Sequence, residues 1–522
     1  MNLHRSPKTY ITASLAALLL LAAGCKKALN YTPEVFVAQT QVFKDQAGAT
    51  AAVTGIYTQL QTLKKSDYAL IGIIGTDEAR CTYQSQGYGD YWANVTGLDV
   101  YDLKFSSQNY QLSGFWADCY LGIANANFAV QGIPGASIQD PSVAARLMGE
   151  AKFMRALFYF YLVQLYGDVP LRLETTPFSA GVKRTPSKDV YAQIIADLQF
   201  AVSNLWTKAK NPDIGRASVE AAKALLGKVY LTTGDYADAK TQFEDLINNN
   251  SLTLLTNYAD LFDGKHENNA ESLFEIQYSL DPGNTQGLQN LFGSYAGAPI
   301  SGEAFNIHTP GYGGTVVMAT SYYSDTIFDK TNDKRYAASI WPHRYDGNGN
   351  TMDWWVDPGL PTIKKYDISS NDIDINNSGK NLYYLRAADV YLMYAEVLNE
   401  LGQTSAALVP LNKVRNRAGL QNLEVVLGGT PTQTALRTEI LVERSRELGA
   451  EGWRWFDLKR TNTLVARVQL YDNPRAYYVG INGPSDPHPA QNISAKNMLY
   501  PIPLAELQTN LALSLTDQNP GY

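Results

Sequence analysis

Cysteine and histidine are scarce, with three and five in 522 residues. That poverty excludes a disulfide-stapled scaffold, and no Cys/His group has the spacing of a zinc site. Basic residues do not exceed acids either. Lys plus Arg number 43 against 50 Asp plus Glu, for a net charge of −7, so the surface is not built to grip phosphate backbones and nucleic acid is not an expected partner. Catalytic signatures are missing too. None of His266, His308, His343 and His488 lies in H-E-x-x-H, and G-x-S-x-G, P-loop and G-x-G-x-x-G patterns do not occur. The chain therefore implies no catalytic residues, metal or cofactor. What it does hold is 45% hydrophobic residues over a length of about three ordinary domains or one large composite, enough for a sizeable core. Its aromatic residues are mostly of one kind: 34 Tyr and 8 Trp against 17 Phe, rings whose polar edge tolerates water. That excess predicts exposed aromatic surface.

Long apolar runs are also few. Ile11 to Ala23 is almost unbroken, follows the basic His4, Arg5 and Lys8, and leads through Ala22-Ala23-Gly24 into Cys25. At ~1.5 Å per residue the run reaches about 20 Å as helix, short of ~30 Å of hydrocarbon, so it reads as a cleaved export signal rather than a span. Small residues before a cysteine resemble a bacterial lipobox, with Ala22 where leucine is usual, and Cys25 becomes the expected lipidation site. Two or more acyl chains at ~0.8 kcal/mol per buried CH₂ anchor such a chain firmly. No second span of ~18 apolar residues follows. Cys81 and Cys119 share an oxidising compartment in this reading, where they either pair or remain as buried thiols.

Two helix-rich zones flank a different middle. Val143, Leu147, Ala151, Met154, Leu157, Phe158, Tyr161, Leu162 and Leu165 recur at three and four, predicting a helix that Gly167 and Pro170 end. A second helix is expected from about Val190 to Trp206, with capping chemistry at Ser187 to Asp189. Leu226-Gly227, Tyr230, Gly234, Tyr236, Ala239 and Phe243 match the tetratricopeptide pattern, with Lys223 in place of tryptophan, and Tyr394-Ala395, Leu398, Gly402, Ala407 and Leu411 echo it. The two matches are too far apart to be successive repeats, which predicts a mostly α-helical scaffold with long insertions. Between about Ser251 and Gly379 the helical period fades into loops with short strands.

That middle carries Tyr295, Tyr312, Tyr322, Tyr323, Trp341, Trp354 and Trp355, and an early segment interleaves Tyr83, Tyr88, Tyr91, Trp92 and Tyr101 with Arg80, Asp90, Asn94 and Asp99. Flat rings beside fork-like donors and acceptors suit a sugar, whose C–H face stacks while its hydroxyls hydrogen-bond. The candidate ligand-binding residues are Arg80, Tyr83, Tyr88, Asp90, Tyr91, Trp92, Asn94, Tyr295, Trp341, Trp354 and Trp355. Each ring also has a plain alternative, packing a loop onto the helices. Asp346, Asn348, Asn350 and Asp357 fall at EF-like offsets, but Thr351 stands at the required glycine and Asp357 at the bidentate glutamate, so a polar turn is preferred to calcium.

Four segments together resemble the SusD/RagB family of outer-membrane glycan-uptake lipoproteins of Bacteroidetes. They are Gly149 to Leu157 through Tyr166-Gly167-Asp168-Val169-Pro170-Leu171, Arg386 through Leu392-Met393-Tyr394-Ala395-Glu396, Leu411 to Gly419, and Glu443 to Leu448 through Glu451 to Arg460; a fifth is the ending, Tyr500 to Pro503 with Gln518 to Tyr522. The resemblance implies dispersed tetratricopeptide-like helix pairs, a glycan-binding face built from loops, no catalysis and no cofactor. It further implies an outer-membrane, lipid-anchored, surface-facing protein that hands oligosaccharide to a SusC-like TonB-dependent transporter. Lys26-Lys27-Ala28-Leu29-Asn30 replaces the acidic stretch that often follows the family's lipidated cysteine. The expected division is a signal peptide at 1–24 and one unit at 25–522, with a helical part at about 30–250, a loop-rich insertion at 251–380 and a second helical part at 381–522. Glu443, Glu447 and Glu451 lie among Arg444, Arg446 and Arg454, so ion pairing against the helical core is expected rather than a glycosidase pair. A tetratricopeptide-type protein-interaction lipoprotein without glycan affinity and a secreted glycoside hydrolase are the alternatives.

Overall fold

In the computed structural model the described residues are 39–65, 67–81, 90–175, 181–249, 252–293, 313–314, 316–342, 361–367, 372–471 and 489–522. The principal helices are α1 (Gln46–Lys64), α2 (Asp90–Val100), α3 (Tyr110–Gly132), α4 (Pro141–Tyr166), α5 (Ser187–Asn204), α6 (Val219–Thr233), α7 (Tyr236–Asn248), α8 (Ala387–Glu400), α9 (Thr404–Arg417), α10 (Gln433–Leu448) and α11 (Arg454–Arg460). Six short strands matter for the site: β1 (Ala79–Cys81), β2 (Ser272–Ile276), β3 (Val317–Ala319), β4 (Ile340–Trp341), β5 (Thr362–Ile363) and β6 (Leu382–Arg386). They pair antiparallel as β1 with β3, β2 with β6, and β4 with β5.

The strongest apolar periodicity becomes α4. Asp140 accepts a hydrogen bond from Ser142 N at its start, Pro141 occupies the first turn, and Gly167 at φ +73° ends it. Helices α1, α3 and α5 pack around α4, so even its charged Arg155 is interior, held by Asp197 of α5 through two 2.7 Å bonds. Helix α5 starts at Ser187, a little earlier than its apolar period suggests. Its expected cap is replaced by Asp168, which accepts from Ser187 N at 2.7 Å.

Both tetratricopeptide-like patterns fold as helix pairs, α6 with α7 and α8 with α9. The turn glycines Gly234 and Gly402 adopt φ +84° and +75°, a left-handed conformation that side chains disfavour. Gly227 lets Phe243 close over α6; a Cβ there would stand 2.4 Å from the ring. The two pairs are far apart in sequence yet neighbours in space, because α7 packs on α8 and Tyr394 Oη donates to Glu244 at 2.8 Å. The intervening segment is an excursion from between stacked pairs. It leaves after α7 and is closed by β6 returning beside β2, with Ser272 opposite Arg386.

Most of the described tyrosines are interior, which corrects the expectation of a broad wet aromatic surface. Tyr159, Tyr166 and Tyr258 are buried and donate to the carbonyls of Arg172, Leu112 and Glu447 at 2.8, 3.0 and 2.8 Å. Their polar edges are satisfied by backbone rather than by water. Cys81 and Cys119 are free and buried, so they do not pair. Among the described residues no helix is long and apolar enough to cross a membrane.

Candidate functional site

Three aromatic-bearing segments, 82–89, 294–312 and 343–360, are flanked by described residues that lie together. Cys81 at the end of β1 is opposite Val317 of β3. Ala319 N donates to Pro361 O at 3.0 Å, which joins β3 to the stretch entering β5. Trp341 of β4 is opposite Thr362 of β5. Gly313 is so close to Gly293 that a Cβ on it would stand 2.7 Å from Gly293 Cα. The described residues that flank these segments at Cys81, Val317, Trp341 and Thr362 therefore belong to one small strand cluster.

Buried ion pairs fix that cluster to α10 and α11. Asp77, two residues before β1, takes both guanidinium arms of Arg454 at 2.7 Å. Its neighbour Glu78 accepts from Ser445 Oγ at 2.7 Å and Ala450 N at 3.0 Å. Arg335, in the short helix leading to β4, reaches Glu443 at 2.7 Å and Glu447 at 3.0 Å. Lys365, after β5, reaches Glu451 at 2.8 Å. Arg386 at the end of β6 touches Glu271, Glu447 and Glu451, and Arg417 joins Glu271 and Glu447. Burial by itself raises a carboxyl pKa, but Arg335, Arg446 and Arg415 outweigh it and bring Glu443 down to about 2. Glu447 is pulled well below the carboxylate range by Arg417, Arg386 and Arg335 against the same burial. Glu447 and Glu451 are thus charge partners held ionised, unsuited to donate a proton to a glycosidic oxygen.

Beside the strand cluster, Trp341 is half-buried, its Nε1 donating to Asp367 at 3.0 Å and the Lys364 ammonium lying 4.3 Å from its ring centroid. Lys364 and Asp367 also line an open hollow of about 450 Å³. Its apolar wall is Ala259, Phe262, Ala337 and Ala338, and Asp263 and Lys334 complete the polar rim. Asp263 is already occupied, accepting from Lys265 N, His266 N and His266 Nδ1. An apolar wall with a few converging charged groups, next to an indole, has the size and chemistry to seat a sugar ring.

Of the residues singled out from sequence, Trp341 adjoins the hollow through Asp367 and Lys364 without lining it. Arg80 is 2% exposed and pairs with Asp99 at 3.4 Å, while Asp99 also accepts from Gly75 N and Cys81 N. Asn94 is 6% exposed, within α2. Both side chains are buried in the frame, a correction whose reason for Arg80 is its pairing with Asp99 of α2. Tyr101, Tyr322 and Tyr323 are likewise buried. Asp90, Tyr91 and Trp92 form the first turn of α2. Tyr83, Tyr88, Tyr295, Tyr312, Trp354 and Trp355 lie outside the described residues, as do Cys25 and the Asp346 to Asp357 spacing. Sequence reasoning missed Phe262, Lys334, Lys364 and Asp367, which carry no local signal and meet only through the pairing of β4 with β5 and the docking of the short helix Arg335–Ser339.

The sequence model described as "SusD family" matches residues 249–522, and a second, described as "Starch-binding associating with outer membrane", matches residues 55–231. The chain is similar to SusD-like protein P25 of Formosa agariphila, 28% identical over 97% of this chain and 98% of that one. It is also similar to the starch-binding protein SusD of Bacteroides thetaiotaomicron, 23% identical over 72% of this chain and 73% of that one. Among solved structures, one named a laminarin binding SusD-like protein superimposes with a TM-score of 0.74 at 26% identity, covering 92% of this chain and all of that one. With the family match extending over more than half of its residues, and with stacked helix pairs carrying a loop-bearing strand cluster, the chain belongs to the SusD family.

Proposed function

We propose that the protein is a surface lipoprotein that binds oligosaccharide and passes it to a SusC-like TonB-dependent transporter, anchored through acyl chains on Cys25. Cleavage after Gly24 leaves one mature unit, 25–522. Family membership supports glycan binding, since relatives are named for starch and laminarin. The observation that carries the reading is the convergence of described residues flanking three aromatic-bearing segments on one rigid, ion-paired cluster beside Trp341 and the 450 Å³ hollow. In this reading Tyr83, Tyr88, Asp90, Tyr91, Trp92, Tyr295, Trp354 and Trp355 supply the rest of the sugar platform, and the protein binds without cutting.

Calorimetry against a panel that includes laminarin and starch fragments tests it. At least one glycan is expected to bind, and Trp341→Ala to weaken it about fivefold, since a lost stacking contact is worth ~1 kcal/mol. Binding of no glycan refutes the reading. Reducing-sugar release from the same panel refutes the non-catalytic part. Co-purification with a SusC-like transporter from outer membranes tests the partner.

A further inference from the structure

Phe262 also lines a second, less open space. This cavity, of about 40 Å³, lies between the end of α1, the strand β6 and the Gly452–Trp453 turn before α11. A single water needs ~10–15 Å³ measured in this way, so the space holds a few waters or one larger sphere. Its lining includes Lys64, Lys365 and Lys380 and one acidic residue, Glu451. Glu451 is already divided between Lys365 and Arg386, each at 2.8 Å. Lys380 donates to the carbonyls of Phe262 and Asp367. Lys64 is different. It is 8% exposed, its Nζ lies 5.0 Å from the Tyr161 ring centroid, and among the described residues it has neither a hydrogen-bond acceptor nor a carboxylate. The acidic group that acts on it, the Cys119 thiol, is itself pushed far up by burial and stays neutral. A buried ammonium without a counter-charge is costly, whereas an anion in contact with it is strongly held at low local dielectric.

We propose that this cavity is a binding site for one monovalent anion of chloride size, with the Lys64 ammonium as its principal donor. Burial brings the Lys64 pKa down to about 8, which leaves it mainly protonated at neutral pH. The bound ion ties the C-terminal turn of α1 to the turn that starts α11, and it is independent of the glycan reading. Because the ion binds the folded chain alone, its concentration shifts the unfolding equilibrium.

Crystals of the protein grown in bromide provide the direct test. The expected result is an anomalous peak within hydrogen-bonding distance of Lys64 Nζ, and unfolding temperatures that rise with chloride when isethionate keeps the ionic strength constant. Lys64→Met is expected to abolish both. Water-level density without anomalous signal, or a chloride response that persists unchanged in Lys64→Met, overturns the proposal. Should that variant fail to fold, the bromide comparison on the unaltered protein still decides.

Discussion

At the scale of single residues, charge is the organising quantity. Arg386 contacts three carboxylates, Glu271 and Glu447 fully buried and Glu451 nearly so, and its removal takes one partner from each. Arg386→Met is expected to destabilise the protein by about 3–5 kcal/mol, the cost of removing the shared cation from a buried ion-pair network. Urea unfolding followed by tryptophan fluorescence measures this, and an unchanged midpoint contradicts the role assigned here. Glu447→Gln tests the opposite side of the same pairs and is expected to cost a comparable amount, because Arg386, Arg417 and Arg335 lose a shared partner. The residue scale also shows why aromatic content misled. A tyrosine's hydroxyl is satisfied as well by a backbone carbonyl as by solvent, and composition does not distinguish the two.

At the scale of elements, the helix pairs depend on two glycines for different reasons. Gly227 is needed for closeness, because any side chain there meets Phe243. Gly227→Val is expected to cost at least about 1–3 kcal/mol through overpacking. Gly234 has open space around it but φ +84°, so Gly234→Ala is expected to lose only about 1–2 kcal/mol of backbone strain. Thermal unfolding measures both losses, and an unchanged midpoint for Gly227→Val would contradict the steric account. The pattern of both pairs was legible from spacing, since period and turn glycine are local. Their stacking on each other was not, because it depends on α7 meeting α8 across a long excursion whose closure rests on β2 and β6.

For the whole molecule, the ion lattice couples stability to pH in two directions. Glu443, held down to about 2, contributes stability that is complete above its unfolded value of about 4.3 and lost as pH falls through that interval. Glu447 and Asp457, also depressed by arginines that outweigh burial, add to the same loss. Glu78 opposes them. Burial raises it to about 7, so charging it between about 4.5 and 7 subtracts stability as pH rises. Stability is therefore expected to be highest at about pH 4.5, to decline toward about pH 7 as Glu78 is charged, and to fall steeply below about 4 as the lattice is released. Chemical denaturation across pH checks this, and a flat profile from pH 3 to 7 contradicts it.

Sequence alone determined the helical class, the family resemblance, the two glycine-turned helix pairs and the pairing role of the Glu443 to Arg454 cluster, because each rests on spacing within short stretches. The tertiary structure decided which polar residues face inward: Arg80 and Asn94 read as ligand partners until β1 and α2 are placed against each other. It also assembled the hollow from Phe262, Lys334, Lys364 and Asp367, three separate stretches of chain brought together by strand pairing and buried charge. Contacts of that kind leave no periodic trace, since burial is a property of the fold and not of the residue.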